Sequence, residues 1–127
     1  MFEIVFYKDK DGRSEIGEFL DELKKKSETD KNARINREKI MTYIEALTIY
    51  GTRIGKPVVK HIEGDLWELR PLRNRIFFFF WRGNKFILVH YFVKKTQKTP
   101  RREIELAKNK MKDFVERTGG YEGYKGN

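Results

Sequence analysis

The sequence predicts one α+β domain: a mostly antiparallel sheet of four to five strands, with an N-terminal helical hairpin and a C-terminal helix. Three observations carry that prediction. Apolar residues recur at helical spacing twice before residue 50 and once after residue 100. Strand-like runs broken by turn residues fill 57–93. The chain has 127 residues, enough for one hydrophobic core and too few for two. The domain is expected over 1–118, with the Gly-rich residues 119–127 as a flexible tail.

Each element has its own warrant. Phe2 to Tyr7 is short, β-branched and aromatic, and Lys8-Asp9-Lys10-Asp11-Gly12 after it is turn chemistry, so a strand is expected. Asp9 and Asp11 are read as an ordinary polar turn, because their spacing is wrong for a calcium loop. Ile16, Phe19, Leu20 and Leu23 form the stripe of an amphipathic helix, with Ser14 as its N-cap. Ile40, Tyr43, Ile44 and Leu47 repeat the spacing in a second helix, which Asp30 caps and Gly51 ends in a left-handed conformation. The two helices make a hairpin around Ser27-Glu28-Thr29-Asp30.

From Pro57 the period changes. Val58 to Ile62, a turn at Glu63-Gly64-Asp65, Leu66 to Leu72, Arg75 to Trp81, a turn at Gly83-Asn84, and Phe86 to Val93 read as an antiparallel meander. The runs 76–81 and 86–89 are apolar on both faces, which marks central strands. The helices are expected to group against one side of the sheet and leave the other free. Thr99-Pro100 opens the last helix, with Pro100 at its first helical position and Ile104, Ala107, Met111 and Phe114 along one face.

Composition removes whole classes of function. At 39% apolar and 14% aromatic, the chain is not of the kind that stays disordered. It has no cysteine, which excludes a disulfide scaffold, a thiolate zinc site and a cysteine nucleophile, and fits a cytoplasmic protein. The longest apolar run, Ile76 to Trp81, is far short of the roughly 20 residues that span a bilayer. The N-terminus lacks the basic start, apolar stretch and cleavage site of a signal peptide. The sequence contains no Walker-type loop, GxGxxG or HExxH.

The net charge of +9 is not spread evenly. Residues 1–55 and 103–127 are each neutral, while 56–102 holds 12 Lys/Arg against only Glu63, Asp65 and Glu68. All the excess therefore lies in one segment, as a polyanion-binding face requires, and nucleic acid is the leading partner. A membrane surface fits less well, because the surplus falls on strands and not on an amphipathic helix.

Three carboxylates in the basic window are too few for a two-metal nuclease, so neither a metal nor another cofactor is expected. RNA offers a route without one. Its 2′-hydroxyl attacks the adjacent phosphorus if one group takes the proton, cations stabilise the added charge, and another group protonates the leaving 5′-oxygen. Arginine offers a fixed fork to phosphate oxygens, and lysine can change its protonation state. Lys94, Lys95 and Lys98 follow the last strand; Arg70, Arg73 and Arg75 surround the tight Pro71-Leu72-Arg73-Asn74 connection. If those two strands pair, the clusters converge at one end of the sheet. Lys60 adds a cation on the first strand of the meander. His90 reads either as a general base or RNA-stacking partner, or as a half-buried strand histidine satisfied by a backbone group. His61, beside a turn, is read as structural or solvated. Tyr91 is the aromatic suited to touch RNA, whereas Phe77 to Trp81 belongs to the core.

These residues also carry a resemblance. Leu66-Trp67-Glu68-Leu69-Arg70, then Arg75, then His90-Tyr91-Phe92-Val93-Lys94-Lys95-Thr96-Gln97-Lys98-Thr99-Pro100, with Glu103-Ile104 and Ala107, resemble the HigB type of toxin, also described as phage-derived Gp49-like, in the RelE/ParE superfamily. The likeness runs from about Phe2 to Arg117. It implies a RelE-like fold and a ribosome-dependent mRNA endonuclease, the toxin of a type II toxin–antitoxin pair that blocks translation. It further implies a HigA-like helix-turn-helix antitoxin that carries the complex to operator DNA, and mRNA in the A site of the 30S ribosome as substrate. Arg73, Arg75 and Lys95 then become the first choices for phosphate and transition-state stabilisation, followed by Arg70, Lys94 and Lys98. Nothing here aligns with the tyrosine that some relatives carry in the last helix, so the resemblance supplies no proton donor. Two other functions fit the same fold: a ParE-like inhibitor of DNA gyrase without nuclease activity, and a non-catalytic RNA-binding module.

Overall fold

A computed structural model of the chain describes residues 1–119. In chain order it has β1 (Glu3–Phe6), α1 (Glu15–Lys26), α2 (Lys31–Tyr50), β2 (Val59–Glu63), β3 (Leu66–Leu69), β4 (Asn74–Trp81), β5 (Lys85–Val93) and α3 (Arg101–Arg117), with one 3₁₀ turn, Gly51–Ile54, after α2. The five strands lie in the order β1-β5-β4-β3-β2. β1 runs parallel to β5 and every other pair is antiparallel, which gives the expected α+β, RelE-like architecture. Residues 120–127, most of the expected tail, lie outside the described residues.

The helix ends follow the local chemistry read from the sequence. Ser14 Oγ accepts a hydrogen bond from Gly17 N–H at 3.0 Å, and Asp30 Oδ1 accepts from Asn32 N–H at 2.8 Å, so both caps satisfy first-turn donors that have no partner inside the helix. Gly51 has φ 62° and donates its N–H to Leu47 at the end of α2. A Cβ there would stand 2.8 Å from the Phe2 ring, so glycine is required twice over, by the dihedral and by the close approach. Asp9 Oδ1 accepts from the N–H groups of Asp11 and Arg13, the polar turn expected.

The side chains of β4 sort by parity. Ile76 and Phe78 point into a layer with α1 and α2, built on Ile16, Leu20, Ile40 and Leu47. Phe77, Phe79 and Trp81 point the other way, into a layer with Ile104 and Ala107 of α3. The helices therefore cover both faces of the sheet, which corrects the expectation of one covered and one free side. The physical reason is in the strands: a run apolar at both parities needs apolar cover on both faces. Pro100 is likewise the residue before α3 and not its first helical residue; its extended ψ of 137° lets its carbonyl accept from Glu103 N–H at 3.0 Å. β3 stops at Leu69, short of the expected Leu72, because the chain turns at Pro71 and Leu72 adopts φ 56°. No helix among the described residues is long and apolar enough to cross a membrane.

Candidate functional site

The pairing of β4 with β5 brings the two cationic clusters together. Asn74 lies opposite Val93 and Arg75 opposite Phe92, and Lys94 N–H donates to the Arg73 carbonyl at 2.7 Å just beyond the ladder. Arg73, Arg75, Lys94 and Lys95, with Leu72, Thr96 and Gln97, line a cleft of about 420 Å³ at that end of the sheet. None of the described lining residues is acidic. Arg73 and Lys95 are exposed, and Lys94 is partly so. Arg73, Lys94 and Lys95 have no acidic partner among the described residues. Their charge is thus available to a ligand. By contrast Arg101, from the same basic segment, is held by Glu63 at 2.6 Å and by Glu105.

The loop that presents Arg73 is braced from within. Asn74 is buried, and its Nδ2 donates to Pro71 O at 3.0 Å and to Asn36 Oδ1 of α2 at 2.7 Å. Arg75 is also buried, and its Nη1 donates at 2.8 Å to the carbonyls of both Leu72 and Asn74. Burial lowers the Arg75 pKa, the nearby Arg70 charge lowers it further, and Glu68 opposes both. An arginine remains cationic through such a shift.

Glu68 stands in the Leu66-Trp67-Glu68-Leu69-Arg70 motif, and nothing in the sequence pattern gives it a role. It is buried on β3, with Oε1 3.5 Å from Arg70 Nε and 3.9 Å from Arg75 Nε. Thr99 Oγ1, just before α3, donates to Glu68 Oε2 at 3.0 Å. One carboxylate thus ties two guanidiniums and the approach to α3 to a single point. The available signal was a glutamate inside a strand that otherwise alternates apolar residues. Thr96 and Gln97, to which the sequence pattern gives no role either, line the cleft through their place in the loop after β5.

The remaining residues singled out from the sequence lie elsewhere. His90 does not line the cleft. A bulge sets Phe77 opposite His90 but Phe78 opposite Leu88, and the His90 ring lies buried beneath α3, stacked on Phe77. Its Nε2 stands 2.7 Å from Glu103 Oε1 and its Nδ1 2.8 Å from Lys110 Nζ. An ammonium only donates, so Nδ1 accepts and the proton sits on Nε2, facing Glu103. Burial, more than any other influence, lowers the His90 pKa; Glu103 opposes that shift and Lys110 adds to it. Tyr91 points to the opposite face, where its ring stacks on Phe19 of α1 at 4.2 Å, and burial raises its pKa. Lys60 is exposed on the edge strand β2, and Lys98 is exposed in the loop before α3, where its carbonyl accepts from Thr96 Oγ1. Arg70 stands beside the cleft on Glu68 without lining it. His61 Nε2 bonds the Gly64 carbonyl of its own turn at 2.7 Å, a structural role.

Among the described residues, no three His, Asp or Glu side chains gather as a metal site. The cleft can hold a phosphate in a fork of guanidiniums and ammoniums, and can oppose charge that grows on it. The sequence profile of the family described as phage derived protein Gp49-like matches residues 18–112, a span that includes β2 to β5, the whole cleft and most of α3. Comparison with curated proteins finds no match.

Proposed function

Because the chain belongs to the phage-derived Gp49-like family of RelE/HigB-type toxins, we propose that it is a ribosome-dependent mRNA endonuclease, the translation-blocking toxin of a type II toxin–antitoxin system. One observation supports this above the others: Arg73, Arg75, Lys94 and Lys95 meet in one cleft that has no acidic side chain among its described lining residues. The ribosomal 30S A site supplies the mRNA. Arg73 and Lys95 grip the scissile phosphate from the exposed rim while Arg75, fixed by two carbonyls, stabilises its developing charge. The 2′-oxygen forms a bond to phosphorus and the bond to the 5′-oxygen breaks. One strand ends in a 2′,3′-cyclic phosphate and the other in a 5′-hydroxyl, which receives a proton. His90, with both ring nitrogens engaged under α3, acts in this reading by holding α3 to β5, and proton transfer falls to a cleft lysine or a ribosomal group. A toxin of this kind implies an antitoxin; we assign it the HigA-like helix-turn-helix type, which takes the complex to operator DNA.

The test is translation in a purified system with the protein added and mRNA ends mapped by primer extension. Breaks phased with codons are expected with wild type and should fall by about 10²–10³-fold in Arg75→Ala, the typical loss when one transition-state donor is removed. Intact mRNA together with blocked DNA supercoiling would instead identify a gyrase inhibitor. RNA binding without breaks would identify a binding module.

A further inference from the structure

Leu72 stands at the mouth of the cationic cleft, and its conformation and exposure are both unfavourable for a leucine. Its φ of 56° makes it the only non-glycine residue with positive φ among those described, in a region that glycine or asparagine enters far more easily. It is 49% exposed and belongs to neither apolar layer. Every other residue lining the cleft is polar. What the fold takes from this position is the backbone: the carbonyl of Leu72 accepts from Arg75 Nη1 at 2.8 Å and so helps aim that guanidinium. Any residue offers a carbonyl, and glycine would do so without strain. The isobutyl group therefore sits half exposed at a place where the backbone conformation also counts against it.

We propose that Leu72 is a substrate-contacting residue whose side chain covers the face of a nucleobase next to the phosphate held by Arg73, Arg75 and Lys95. This rests on the RNA reading above and deepens it. A nucleotide joins an anionic phosphate to a flat apolar ring through one sugar, which is the juxtaposition the cleft offers: four cations and one exposed apolar side chain among its described lining residues. Such a contact is blind to base identity at hydrogen-bond level, so it grips RNA without choosing sequence.

Leu72→Gly and Leu72→Asn keep the carbonyl and suit the dihedral, so both should fold. Binding is measured by fluorescence anisotropy, at fixed ionic strength, to a short single-stranded RNA and to inorganic polyphosphate. Both variants should bind the RNA about tenfold more weakly, the worth of one lost apolar contact, and polyphosphate as well as wild type. Unchanged RNA affinity would overturn the proposal, and so would equal weakening toward both ligands, because Leu72 would then act through Arg75. If Arg73→Ala weakens binding to neither ligand, the RNA reading itself fails, an outcome separate from either of these.

Discussion

The strand pair β4–β5 has a cleft at each end, and the two differ in everything but location on the same ladder. At the Trp81 end, a space of about 630 Å³ is walled by Phe2, Trp67, Phe80 and Phe86, and its charged groups, Arg53 and Asp65, are of opposite sign. At the Asn74 end the space is smaller, about 420 Å³, and among the described residues four cations and no acid line it. Volume alone would choose the first. Charge without a partner chooses the second, because solvated ammonium and guanidinium groups crowded together repel one another until an anion arrives. The aromatic end uses its side chains on each other: Phe86 lies 4.9 Å from Phe2 and 5.3 Å from Phe78, ring centre to ring centre. One end is built for holding the fold, and the other holds charge for something outside it.

Charge reversal gives the sharpest contrast between the two ends. Arg73→Glu should reduce mRNA cleavage by at least about 10²-fold, while Arg53→Glu at the aromatic end should leave it within about twofold; equal losses would erase the distinction. Next in size is Glu68→Gln. It preserves an acceptor for Thr99 but leaves the buried Arg75 and the partly buried Arg70 without their shared anion, and urea unfolding should show a loss of about 3 kcal/mol. Gly51→Ala tests the aromatic end directly: a Cβ against Phe2 at positive φ should cost about 2 kcal/mol of stability, with cleavage per folded molecule unchanged.

The smallest effect concerns His90, which lies between the ends. Its folded-state pKa is below the ordinary 6.5, so the unfolded chain takes up a proton that the folded one resists. The stability that neutral His90 contributes is complete above about 6.5 and declines as the pH falls through that value. In unfolding measured at pH 7.5 and about 5.5, His90→Gln should lose less stability on acidification than wild type does. An identical decline in both proteins would remove His90 as the cause.

Much of this arrangement is legible in the sequence. The turn at Gly83-Asn84 and the flanking apolar runs specified the β4–β5 hairpin, and hairpin pairing alone dictates that Arg73 and Arg75 face Lys94 and Lys95 across its open end. Two things were not legible. The bulge in β5 adds a residue that no composition signal announces, and it directs His90 into α3. Glu68 reads as one more surface charge until the tertiary fold sets Arg70, Arg75 and Thr99 around it. The crossing of α3 to the far face belongs to a third kind: Phe77 and Phe79 alternate with Ile76 and Phe78, so the pattern already demanded cover on both sides. Local rules fix turns and caps; partners from distant segments decide which polar side chains are tied and which stay free.

The parallel seam between β1 and β5 sets an order on biosynthesis. Glu3 to Phe6 leave the ribosome well before their partners Lys85 to Leu88, and the cationic cleft needs Lys94 to Gln97 in addition. Synthesis must therefore run about 80 residues beyond β1 before that strand has anywhere to bind, a long-range closure of the kind that slows folding. Any product truncated ahead of β5 lacks both the seam and half of the cleft, so incomplete chains carry none of the assembled site.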